Sequence, residues 1–129
     1  MDELSKLDIC AVSNLIGTRE VSAVEVTHLA IKRAQELQPS INAFIQLEAD
    51  EALEAAEIVD NKIKNSEYVG PLAGVPLAHK DMFYREGKIT TCGSKIRSKF
   101  KSNHTSTALD RLSRAGAIYL GGLNMSEFA

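Results

Sequence analysis

A lysine serves as a general base only as the uncharged amine, and this chain of 129 residues offers one lysine in a setting that could favour that form. It is Lys80, near the end of Gly70-Pro71-Leu72-Ala73-Gly74-Val75-Pro76-Leu77-Ala78-His79-Lys80-Asp81. Nowhere else does an apolar strand-like run deliver a titratable side chain to its end. Burial in an apolar surround disfavours an ammonium ion, by up to ~3–5 pKa units for a fully buried group. The plainer alternative is a solvated His-Lys-Asp turn. Because charged strand ends are common, spacing alone favours that alternative.

The other chemical side chains are weaker candidates. Asp81 could act on Lys80 through space, but neighbours on a strand point to opposite faces, so no catalytic role is assigned to it. Ser94 follows Cys92-Gly93 without the G-x-S-x-G frame of a nucleophile elbow and reads as an ordinary loop serine. No motif sets a histidine beside Cys92. Cys10 and Cys92 form no CxxC pair, which leaves both as buried, inert thiols. His28, His79 and His104 lack metal-ligand spacing, and Gly116, Gly121 and Gly122 do not make GxGxxG. Neither a metal nor a cofactor is expected.

The elements that must position Lys80 follow from periodicity. Leu4, Leu7, Ala11, Leu15 and Ile16 predict a short helix over about 6–16, with Ser5 and Asp8 at its start and a left-handed Gly17 closing it. Ser22-Ala-Val-Glu25 is a capping box for a helix lined by Val26, Leu29, Ala30, Ala34 and Leu37, which Pro39 should stop. Residues 42–47 read as a strand. From Glu48 to about Asn65, Ala52, Leu53, Ala56, Val59 and Ile63 make one apolar face, and the intervening carboxylates make a solvated one. Gly70-Pro71 and Gly74 are turns before the Val75–Ala78 strand. Met82 to Lys101 reads as a long loop with a short strand. Thr107-Ala-Leu-Asp110 should cap a helix that Gly116 ends, Ala117–Leu120 should be a buried strand, and Asn124-Met-Ser-Glu127 should open another helix.

A 44% hydrophobic and 25% charged composition is that of a globular α/β chain of single-domain size. The net charge of −2 leaves no basic footprint, which argues against direct nucleic-acid binding. The acidic Met1-Asp2-Glu3 start does not read as a signal peptide, and no apolar run approaches membrane-spanning length. A cytoplasmic location, with no membrane association, is expected.

Three motifs in order add a resemblance. Residues 70–81, then Thr91-Cys92-Gly93-Ser94, then Ala115-Gly116-Ala117 and Gly122-Leu-Asn-Met-Ser-Glu-Phe128 resemble the amidase signature family. The resemblance covers nearly the whole chain and implies the N-terminal helices and first strands of a mixed-sheet amidase domain. Residues 1–40 would be a helical arm and 41–129 the start of the α/β core. It implies an amide (carbon–nitrogen) hydrolase using two serines and a lysine, with Lys80 in the lysine's position, acting on a small-molecule amide. It also implies that both serines lie in a Gly/Ser-rich loop after Ala129, so residues 1–129 alone are expected to be inactive, as a non-catalytic fragment of a longer enzyme. The family also includes the A-type subunit of an amidotransferase, which works as a glutaminase and passes ammonia to its partners. A homodimer or such amidotransferase partner subunits are the assemblies implied.

Overall fold

A computed structural model describes residues 6–129. Leu4 and Ser5, counted above toward the first helix, lie outside the described residues. The first helix, α1, spans Ile9–Gly17, and the Asp8 carboxylate caps it by accepting from the Ala11 N–H at 2.8 Å. Gly17 is still helical; the left-handed residue is Arg19, at φ 64°. Helix α2 spans Ala23–Ile41 and opens with both bonds of the Ser22–Glu25 capping box in place. Contrary to expectation, Pro39 does not stop it. A proline this close to a helix end forfeits one backbone bond, and its ring is exposed. The helix closes at Asn42, which adopts the left-handed conformation at φ 46° and donates to Gln38 O at 2.9 Å. The Gln38 side chain then bonds both the N–H and the C=O of Phe44, setting the entry into the first strand.

The sheet has three strands in the order β1-β3-β2 among the described residues: β1 Phe44–Leu47, β2 Pro76–Lys80 and β3 Ile118–Leu123. β1 runs antiparallel to β3 and β2 runs parallel to it, so the fold is mixed α/β. The parallel pair needs a long crossover, and residues 81–117 supply it through α4, Thr107–Arg114. Between β1 and β2 lies α3, Ala49–Lys64, packed on α2 and β3. Val12 and Ile16 of α1, Val26 and Ile31 of α2, Ala52 and Ala56 of α3, and Val75, Ile118 and Leu120 form one core. Ile16 and Ile118 are each 1% exposed, and burying such a side chain contributes about 1.5–3 kcal/mol. The apolar face of α3 is thus built on its alanines, while Leu53 and Ile63 are only partly buried. An apolar groove of about 870 Å³, lined by Val26, Leu29, Leu37, Phe44, Val75 and Leu120 among others, remains beside this core.

Gly121 explains how β1 and β3 come so close. Its φ is 138°, and a Cβ there would lie 2.0 Å from Gln46 O.

Three further expectations change. The loop after Lys80 contains no strand, only isolated bridges Glu86–Ser102 and Ile89–Lys101 and a 3₁₀ turn at Lys95–Arg97. Helix α4 starts one residue earlier than Thr107-Asp110 suggested, with Ser106 at the N-cap position and no side-chain cap bond. Asn124–Glu127 does not open a helix, because the groups that would begin it are engaged elsewhere. Asn124 O accepts from Lys80 Nζ at 2.8 Å, and Phe128 N donates to Cys92 O at 2.9 Å.

Candidate active site

Strand β2 brings Lys80 to its C-terminal end, beside the end of β3, where Lys80 pairs in register with Leu123. Ligands in open α/β sheets collect beyond these strand ends. β2 is an outer strand, and within the described residues Lys80 is exposed rather than buried. Its Nζ donates to the carbonyl oxygen of Asn124, the first residue after β3.

Asp81 turns the other way, as strand geometry requires, and is only 6% exposed. Its carboxylate accepts from the Thr91 N–H at 2.9 Å and from the Thr91 hydroxyl. Its own backbone is fixed as well: Asp81 N donates to Leu123 O at 3.1 Å, and Asp81 O accepts from Cys92 N at 2.8 Å. Thr91 Oγ1 in turn accepts from the Gly93 N–H at 3.1 Å. The loop turns sharply through two left-handed residues, Cys92 at φ 52° and Gly93 at φ 70°. A Cβ on Gly93 would lie 2.8 Å from Met125 O, so only glycine lets the loop rest on the chain after β3. Ser94, 3% exposed, completes the contact by donating to Glu127 Oε1 at 2.6 Å.

A second cluster holds the other flank. Glu48, at the start of α3, pairs with Arg85 and with Lys88 at 3.3 Å, and Lys88 also pairs with Glu51. Burial pushes the Glu48 carboxyl up, but the hydrogen bond and charge of Arg85 and the charge of Lys88 outweigh it and hold the group below its ordinary range. For Lys88 burial pushes down, and the bonds and charges of Glu51 and Glu48 prevail, raising it. Asp60 receives the N–H groups of Ala23 and Val24 at 2.7 and 3.1 Å. The acidic face of α3 is therefore not simply solvated: Glu48, Glu51 and Asp60 tie α3 to the post-Lys80 loop and to α2.

Of the remaining candidates, His79 sits edge-on to Tyr119 with ring centroids 5.8 Å apart, and its Nδ1 faces Lys80 O at 3.0 Å. His28 is exposed on α2, and His104 lies in the exposed loop before α4. The thiols are not buried as expected: Cys10 is exposed and Cys92 half-buried, and both are free. Cys10 stands at the outer start of α1, and Cys92 is tied by backbone bonds alone. Among the described residues no group of three His, Cys, Asp or Glu side chains converges as a metal site. The structure thus gathers Lys80, Asp81, Cys92 and Ser94 with the 124–128 strip. Sequence reasoning missed the roles of Asp81, Thr91 and Glu127, although all three lie in the quoted motifs.

The structure thus sets Lys80 at the end of a parallel strand beside a glycine-turned loop. The Amidase family model matches residues 25–129, and the chain belongs to that family. The A-type subunit of the glutamyl-tRNA(Gln) amidotransferase of Azoarcus sp. (strain BH72) is 46% identical over 114 residues, 88% of this chain and 23% of that protein. Its counterpart in Acidothermus cellulolyticus (strain ATCC 43068 / DSM 8971 / 11B) is 42% identical over 129 residues, 100% of this chain and 26% of that protein. Among solved structures, native peptide amidase from Stenotrophomonas maltophilia matches with a TM-score of 0.90 at 28% identity, over 98% of this chain and 26% of that one. The chain spans about a quarter of the length of these relatives. No helix among the described residues is long and apolar enough to cross a membrane.

Proposed function

We propose that this chain forms the lysine-bearing part of an amide hydrolase of the Ser-Ser-Lys type, with Lys80 as general base and a small-molecule amide as substrate. The observation that carries the reading is the placement of Lys80 at the C-terminal end of β2, with Nζ 2.8 Å from Asn124 O at the head of the 124–128 strip. In this mechanism Lys80 takes a proton from a relay serine, which takes one from the nucleophilic serine as its oxygen bonds to the amide carbon. The C–N bond then breaks, and the proton passes back through the relay to the departing amine. Water repeats the sequence on the acyl-enzyme. Backbone N–H groups near the serines would hold the oxyanion, each contributing about 3–4 kcal/mol. In this reading the two serines come from outside residues 1–129.

The relatives at 46% and 42% identity favour a second reading within the same chemistry. There the amide is glutamine, and the ammonia released passes to the partners of a glutamyl-tRNA(Gln) amidotransferase. Co-purification with a B-type subunit supports this second reading, and glutamine-independent hydrolysis of simple amides by a lone chain argues against it.

The test of the base is substitution in the full-length enzyme. Lys80→Ala should abolish amide hydrolysis. Lys80→Arg should fail nearly as badly, because a guanidinium stays protonated and cannot accept a proton. Near-normal turnover in either variant overturns the assignment.

A further inference from the structure

A carboxylate that is 6% exposed must be well hydrogen-bonded to be tolerated, and Asp81 meets that need with neutral donors, the Thr91 N–H and hydroxyl, rather than with a cation. This choice ties it to one loop. That loop is held at both ends. On one side Cys92 N returns to Asp81 O and Thr91 Oγ1 receives the Gly93 N–H. On the other, Cys92 O accepts from Phe128 N and Ser94 Oγ donates to Glu127. The strip so held, 124–128, also provides the carbonyl of Asn124 that receives Lys80 Nζ. The strand end that carries Lys80 and the strip that anchors its Nζ are therefore joined twice, once directly and once through Asp81, Thr91 and Cys92.

We propose that Asp81 is a positioning residue for Lys80: its carboxylate, through Thr91, fixes the 91–94 loop and with it the 124–128 strip on which Lys80 Nζ rests. Asp81 touches no reacting atom in this scheme. It sets the separation between the base and the chain segment leading away from β3. Such positioning matters because a shift of about 1 Å away from the chemistry can cost about 10²-fold in rate. The proposal rests on the reading of Lys80 as the base, and the two can be tested apart.

The experiment uses the full-length enzyme and four variants, Asp81→Asn, Thr91→Val, Thr91→Ser and Lys80→Ala. Two readouts are taken, steady-state kinetics and the alkylation rate of Cys92 by iodoacetamide, followed on its own peptide with exposed Cys10 as internal reference. Asp81→Asn replaces the charged oxygen that accepts both Thr91 bonds with a neutral and weaker acceptor, and Thr91→Val removes the hydroxyl while keeping the shape. Both should lower kcat by about 10- to 100-fold with KM within about twofold, the signature of lost transition-state geometry rather than lost binding. Both should raise Cys92 alkylation several-fold while leaving Cys10 unchanged. Thr91→Ser, which keeps the N–H and the hydroxyl, should stay near wild type in both readouts. Wild-type kcat and Cys92 reactivity in Asp81→Asn and Thr91→Val overturn the proposal, as does equal damage in Thr91→Ser and Thr91→Val. If Asp81→Asn does not fold, the Thr91 pair decides alone. Full turnover in Lys80→Ala overturns the base assignment instead, and the Cys92 readout still judges the clamp because it needs no activity.

Discussion

Glu48 shows how one partly hidden charge ties the molecule to pH. Its carboxyl is held below the ordinary range in the fold, so it contributes stability above its unfolded pKa, and that contribution is lost as pH falls through the folded value. Lys88 has the opposite sign. Its raised value means stability present below its unfolded pKa of about 10.5 and lost as pH rises through the folded one. Glu48→Gln should therefore flatten the acid limb of a plot of melting temperature against pH below about 4.5, and Lys88→Met the alkaline limb. Unchanged limbs in both variants would mean that the cluster is inert. The position of Lys80 at a strand end was legible from the sequence because an apolar run and its turn glycines announce a strand and its end, but its exposure was not. Nor was the role of Asp81. The rule that strand neighbours face opposite sides held, but it took Asp81 away from Lys80 without saying toward what. Its partner Thr91 lies at the far end of the 82–90 loop, just before the left-handed Cys92 and Gly93, and no periodicity reports that.

At the scale of elements, the capping box marks the start of α2 correctly but not its end, while the cap patterns at Thr107 and Asn124 misplace one helix start and announce a helix that does not form. Ser22 and Glu25 mark the start of α2 by local chemistry, whereas its end depends on Asn42 and on the Gln38 side chain reaching Phe44. The acidic face of α3 was misread for a related reason. Asp60 looks solvated on a helical wheel, yet it accepts the first free N–H groups of α2, a capping interaction supplied from another helix. Asp60→Ala should cost about 0.5–2 kcal/mol in denaturant unfolding. Glu54→Gln with Glu57→Gln should leave both stability and activity intact, since these two side chains are exposed. Catalytic loss in that double variant without loss of stability would assign the outer face a chemical role. Gly121→Ala tests the β1–β3 contact, and its backbone strain alone should cost about 1–3 kcal/mol, with overpacking against Gln46 O adding a similar amount.

Across the whole molecule, the mixed sheet was legible as three strand-like segments, but their order was not, because pairing is a long-range choice that each strand leaves open. The described sheet has outer strands at β1 and β2 and an apolar groove of about 870 Å³ beside the core. Outer strands and apolar grooves left without cover invite association. Residues 1–129 expressed alone should therefore elute as oligomers in size-exclusion chromatography, melt over a broad range and hydrolyse no amide. A monomer with a sharp cooperative melt would overturn the folding part of this expectation. Hydrolysis by the purified 1–129 chain that disappears on Lys80→Ala would overturn the catalytic part. The strand order also carries a consequence for synthesis. The middle strand, β3, is the last of the three described strands, so at ribosomal rates of about 5–20 residues per second the ~70 residues between β1 and β3 keep β1 waiting some ~4–14 s for its one neighbour among the described strands. A nascent chain stalled before Ile118 should accordingly be sensitive to protease at β1 and β2, and protection should arrive at both strands together once Leu123 has cleared the exit tunnel.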